Sequence, residues 1–151
     1  MKEVERIADQ LRRAFEGGAW HGPSVREVLE GVSAQTASRR PIAGAHTIWE
    51  IVHHIQAWQD GVLRRLHSEI VNLTPAQDWP SVNSANENAW KADLQSLEKS
   101  YEDLISAVKK LEDPQLETPI SGDDYNFYFL LHGLIQHDLF HAGQIAVLKK
   151  A

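Results

Sequence analysis

The chain of 151 residues contains no cysteine. Disulfide bonds, thiolate metal ligands and a protein thiol nucleophile are therefore excluded. Histidine remains as the donor that borderline-soft metal ions prefer, and the chain has eight histidines. Chemistry that needs a thiol would have to obtain it from a molecule outside the protein.

A basic surface is also absent. The formal net charge is -6 and no run of lysine and arginine occurs, so counterion release would not favour binding to nucleic acid. No apolar run approaches the length of a membrane span, and the N-terminal MKEVERIADQLRRAF carries acidic residues where a signal peptide has an apolar block. We therefore expect a cytoplasmic protein that binds neither nucleic acid nor membranes. The glycine-rich motifs of serine hydrolases, P-loop enzymes and dinucleotide-binding enzymes are missing too.

The patterning that is present is helical. A chain of this length with 42% hydrophobic residues suits a single domain, residues 1–151. Apolar residues recur at helical spacing and no alternating strand pattern competes. We predict four long helices over residues 2–17, 46–70, 84–111 and 126–149, and a short helix in the first long connection. Capping-box spacing marks the start of the short helix and of the second and third long helices, at Ser24–Glu27, Thr47–Glu50 and Ser84–Glu87.

Two histidines stand four residues apart in the last predicted helix, within QHDLFHAGQIAVLKK. This spacing places His137 and His141 on one face. That face also holds the helix's inward-pointing apolar residues, namely Leu130, Leu134, Ile145 and Leu148. The alternative is a pair of hydrogen-bonded core histidines, so a third ligand is needed to favour a metal site.

The second long helix offers that third ligand. On the helical wheel His54 lies about 60° from the centre of the apolar stripe, whereas His53, His46 and His67 lie on the opposite side. At 1.5 Å per residue, His54 lies roughly 12 Å from the N-terminal end of its helix, and His141 lies roughly 12 Å from the C-terminal end of the last helix. Two flush antiparallel helices would bring His54, His137 and His141 together, leaving a coordination position for water or substrate. His21, His53 and His67 are expected at the surface.

The same segments carry a family resemblance. HTIWEIVHHIQAWQDGVLRRL and LLHGLIQHDLFHAGQIAVLKK resemble the DinB-like family of proposed metalloenzymes over essentially the whole chain. The resemblance implies a four-helix bundle with up-down-down-up topology, usually dimeric, in which His54, His137 and His141 bind a divalent ion such as zinc or nickel. It also implies a function, because some members are thiol-dependent isomerases or S-transferases.

Our hypothesis is therefore a three-histidine, metal-dependent enzyme that acts on a small molecule. It would be an S-transferase that uses an exogenous low-molecular-weight thiol, or a hydrolase. The alternative is a non-enzymatic metal-binding or stress-response protein with a structural site. HDLFH also resembles the zincin motif, but Asp138 is shorter than the glutamate base and no helix follows to supply a third ligand. The catalytic residues are unknown, and the candidates for positioning the ligands are Gln144, Glu50 and Trp58.

The last helix has a second apolar strip opposite the histidines, formed by Tyr128, Leu131, Ile135, Leu139, Ala142 and Ala146. One amphipathic helix does not need two such faces. Either residues 18–45 fold over this strip, or a second copy of the chain covers it. We predict the homodimer, since the resemblance implies one and Gly133 and Gly143 permit close approach of helices.

Overall fold

The computed structural model describes residues 1–151 and is all-helical, as predicted. One isolated bridge, between Pro119 and Asn126, is its only β-type pairing. A 3-10 helix spans Asp113–Glu117. The seven α-helices are α1 (Glu3–Phe15), α2 (Val25–Leu29), α3 (Ala34–Ser38), α4 (Ile48–Leu66), α5 (Pro75–Asp78), α6 (Glu87–Val108) and α7 (Phe127–Leu148). None of the helices combines the length and apolar character needed to cross a membrane.

The four long helices enclose one core. α4 packs against α6 and α7, and α1 packs against the same two helices. Large side chains from each of the four are fully buried between them, including Phe15, Trp49, Leu104 and Ile145. The contact between α4 and α7 builds the candidate site, because it joins the two helices that carry the candidate ligands.

Local sequence signals set most helix starts. Thr47 caps α4, where its hydroxyl accepts from the Glu50 N–H at 3.1 Å and the Glu50 carboxylate accepts from the Thr47 N–H at 2.7 Å. The Ser24–Glu27 box begins α2 in the same way. The predicted cap at Ser84 is wrong. Asn86 caps α6 instead, and the Glu87 carboxylate accepts from the Ala34 N–H, so a contact distant in sequence replaces the local one.

The connections hold more structure than the sequence pattern indicates. α3 and α5 are each too short to show an apolar period. α5 follows a capping box at Thr74–Gln77, with Pro75 in its first turn. It packs against α4 and brings residues 78 and 79 to the histidines.

The second apolar strip of α7 is covered within the chain. α1 and α2 both pack against α7, and Leu131, Ile135 and Ala142 are buried. Most of the strip is therefore core, and residues before α4 contribute to its cover, whereas Tyr128 at its start is exposed. The other exposed large apolar residues of α7 are Phe129, Phe140 and Val147.

Candidate metal centre

The three predicted ligands come together between α4 and α7. Each of His54, His137 and His141 offers one ring nitrogen, and these three atoms lie within 4.8 Å of one another. The Nε2 atoms of His54 and His137 are 3.0 Å apart, close to the roughly 3.4 Å that two nitrogens have when both bind one tetrahedral ion. His54 and His141 are buried and His137 is partly exposed. The predicted convergence of the helices is thus observed.

Hydrogen bonds turn two of the rings toward a common point. His54 Nδ1 donates to the carbonyl oxygen of Asp78 at 2.7 Å, and His141 Nδ1 donates to Gln144 Oε1 at 2.7 Å. In a neutral imidazole, a proton on Nδ1 leaves a lone pair on Nε2. This is the arrangement found around metal-bound histidines, where the second nitrogen is held by a carbonyl or carboxylate group.

His137 has a different neighbour. Its Nδ1 and the Oδ1 of Asp138 are both buried without a hydrogen-bond partner, and the two atoms lie 3.7 Å apart. That distance is too long for a hydrogen bond. A cation on Nε2 would make the Nδ1 proton a stronger donor toward this carboxylate. The two unpartnered atoms therefore fit a site that holds a metal ion.

Burial keeps the histidines in the form that binds metals. It lowers the pKa of His137 to about 4 and that of His141 to about 4. Burial also lowers the pKa of His54, although the Asp78 carbonyl opposes this shift. Near neutral pH all three rings are uncharged, so a metal ion need not displace their protons. Asp138 shows the opposite shift, because complete burial raises its pKa to about 8.

Residues 78 and 79, which sequence reasoning missed, form one wall of the site. The Trp79 ring lies flat on His54, with centroids 3.8 Å apart and planes 5° apart. Its opposite face stacks on His46 at 3.5 Å. The Asp78 carboxylate accepts from Trp58 Nε1 at 2.7 Å. The available signal was the PAQDWP segment with its Thr74 cap, but it does not say which helix the segment packs against.

The three candidates for positioning the ligands, Gln144, Trp58 and Glu50, differ in what they contact. Gln144 holds His141 through the hydrogen bond described above. Trp58 lies beside His137, with ring centroids 6.0 Å apart. Glu50 does not hydrogen-bond to His54. It completes the cap of α4 and binds the Arg40 guanidinium at 2.8 Å, as the capping pattern favours.

The remaining histidines lie outside the cluster. His21 and His67 are exposed, as predicted. The expectation of a solvated His53 is wrong, because α6 packs over that face of α4 and His53 Nε2 lies 2.7 Å from the Asp93 carboxylate. His46 is exposed at the edge of the cluster, where it stacks on Trp79.

Two cavities flank the histidines. One of about 230 Å³ has His137 in its wall, and its lining is mainly apolar and aromatic with Arg65 as its only charged residue. The other, of about 560 Å³, is lined by His46, Phe140 and Gln144 among others. The least covered of the three histidines thus faces space that can hold a small molecule.

Comparison with protein families agrees with the motifs. The family model of the DinB superfamily matches residues 8–145. The chain belongs to the DinB superfamily. This family and the buried three-histidine group together fit a metal-binding protein. No curated protein and no solved structure matches the chain.

Proposed function

We propose that His54, His137 and His141 bind a divalent ion such as zinc or nickel, and that this DinB-superfamily protein is an enzyme acting on a small molecule. The observation that carries the proposal is the position of His137, which forms part of a cavity wall. Three protein ligands leave room for a further one. A purely structural site would have its ligands enclosed and no space beside them.

A divalent ion in such a site supplies Lewis acidity, which lowers the pKa of a thiol or water and polarises an electrophile. Groups of the protein orient and cover the rings that would hold the ion. Asp78 and Gln144 fix the rings of His54 and His141. Trp79 covers the face of His54 and keeps water from that side. A reactant can then approach from the side of His137.

The proposed reaction is S-transfer with an exogenous thiol. The protein has no cysteine to act as the nucleophile, and the cavity beside His137 leaves room for a small electrophile. Hydrolysis is the second candidate, since the same site also suits water.

The experiment that tests this begins with elemental analysis of protein purified without added metal. The metal-loaded protein is then assayed with several thiols and electrophiles, with and without the thiol, beside His137→Ala as the metal-deficient control. Thiol-dependent turnover that His137→Ala lacks supports the transferase, and thiol-independent turnover supports the hydrolase. Bound metal without either activity favours a structural site.

Two further features belong to the proposal. We place the long helices in up-down-down-up order, which makes α4 and α7 antiparallel and agrees with the meeting of His54 and His141. We also propose a homodimer. Since most of the predicted strip is covered within the chain, the exposed Phe129, Phe140 and Val147 of α7 are the surface that we assign to the dimer interface.

A further inference from the structure

A buried guanidinium shares the cavity beside His137. Arg65 is on α4, about two turns beyond Trp58, and only 7% of its surface is exposed. It lines the same cavity of about 230 Å³ as His137. Burying a charge is costly unless it is paired, so the partners of Arg65 determine what this cavity can bind.

The partners of Arg65 within the chain are incomplete. Nη2 donates to the carbonyl oxygen of Val71 at 2.7 Å, and Nη1 donates to the Tyr125 hydroxyl. The nearest carboxylate oxygen, on Asp123, is 3.5 Å from Nη2, which is longer than a charge-assisted hydrogen bond. Nε is buried and has no partner. Nε is thus the one guanidinium nitrogen without a hydrogen-bond partner, and Asp123 balances the charge only from 3.5 Å and without a hydrogen bond.

The cavity is shaped for a short ligand between Arg65 and His137. The Trp58 ring lies near both, 5.8 Å from Arg65 Cζ and 6.0 Å from the His137 ring. Phe129, Leu130 and Leu134 supply apolar walls. The volume is below the roughly 300–1,000 Å³ of pockets that bind drug-sized ligands, so only a small molecule fits.

We infer that the substrate is a small carboxylic acid with an apolar or aromatic body. Its carboxylate binds Arg65 and the Tyr125 hydroxyl, its body lies along Trp58, and its reacting end reaches His137. A planar guanidinium matches a carboxylate, and a single arginine with no lysine nearby suits a single negative charge. This inference rests on the proposed function, because it names the substrate class of the same site.

A matched pair of ligands tests the inference without any turnover. Binding of 3-phenylpropionate and of 3-phenylpropionamide is measured by calorimetry on the zinc-loaded and on the metal-free protein. The acid should bind at least about tenfold more tightly than the amide, because a hydrogen bond to a charged group contributes that much. Arg65→Met should remove the preference. Arg64→Met is the control, since Arg64 is an exposed neighbour that pairs with Glu69.

A second variant keeps the test decisive if Arg65→Met does not fold. Gly133 lines this cavity, and a Cβ built on it meets no atom within 4 Å. Gly133→Leu should fill the cavity and weaken the acid at least about tenfold, a loss of about 1.4 kcal/mol or more. Gly143 lines the cavity of about 560 Å³ instead, so Gly143→Leu should leave binding of the acid unchanged.

The results separate this inference from the metal proposal. Equal binding of acid and amide, no binding of the acid, or an acid preference that survives Arg65→Met and Gly133→Leu would overturn the inference. Zinc content is measured on each variant and should not change in Arg65→Met. A preference for the acid in a wild-type protein that binds no metal would support the inference while refuting the metal proposal.

Discussion

Trp79 lies flat on the imidazole of His54, with ring centroids 3.8 Å apart and planes 5° apart. The backbone carbonyl of the preceding residue, Asp78, accepts a hydrogen bond from Nδ1 of the same imidazole. The C-terminal end of α5 thus both orients and covers one candidate ligand. The surroundings of metal ligands commonly change affinity by about 10- to 100-fold when they are mutated.

We therefore expect Trp79→Ala to weaken zinc binding at least about tenfold, with a smaller effect for Trp79→Phe, which keeps an aromatic face. Competition with a chromophoric chelator measures the change. Trp20→Ala is the control, because Trp20 is fully exposed. Unchanged affinity in Trp79→Ala would mean that the Asp78 carbonyl alone holds His54.

Adjacent histidines on α4 give a sharp test of the ligand set. His54→Ala should lose most of the bound metal, and so should His137→Ala and His141→Ala. His53→Ala should keep it, because His53 contacts Asp93 between α4 and α6. Metal analysis by mass spectrometry gives the result. A His53 variant without metal beside a His54 variant that retains it would refute the site.

Removal of the metal should lower thermal stability. A ligand that binds only the folded state adds about 2.7 kcal/mol when its free concentration is 100 times Kd, which corresponds to roughly 5–10 °C in Tm for a protein of this size. Differential scanning calorimetry before and after chelation measures the shift. The His137→Ala variant should show almost none. An unchanged Tm in chelated wild-type protein would argue against a site that joins α4 to α7.

The buried Asp138 should reduce stability as the pH rises. Burial raises its pKa from 3.8 to about 8, so between these values the folded protein holds a proton that the unfolded chain has released. Its contribution to the free energy of unfolding is complete below pH 3.8 and is lost as the pH rises to about 8. Metal-free Asp138→Asn should therefore gain stability relative to wild type from pH 5 to 8.

Urea unfolding at several pH values measures this difference, with the exposed Asp124→Asn as control. A constant difference between Asp138→Asn and wild type across that range would mean that Asp138 is charged in the folded protein.

Light scattering should give a mass near twice the 17.0 kDa of one chain at micromolar concentration. Phe140→Glu should return the mass to that of one chain, because it places a charge on the exposed face of α7. Trp20→Glu alters an exposed aromatic residue elsewhere and should leave the dimer intact. A wild-type mass that stays near 17.0 kDa as concentration rises would refute the dimer.

The sequence by itself determined the four long helices and which histidines face inward. Helical periodicity fixes which side chains share a face, and the structure brings together the three rings that it selected, those of His54, His137 and His141. Caps whose partners lie three residues apart, such as Thr47–Glu50, were predictable for the same reason. These features depend on neighbours within one or two turns.

Only the tertiary structure decided what surrounds the ligands. Trp79 meets His54, His53 meets Asp93, and Arg65 meets Tyr125, in pairs that are 25, 40 and 60 residues apart in the chain. The packing of α1 and α2 against the second apolar strip of α7 is likewise a contact between segments that are distant in sequence. No local period encodes such contacts, because they depend on where each connection turns and on which helix it packs against.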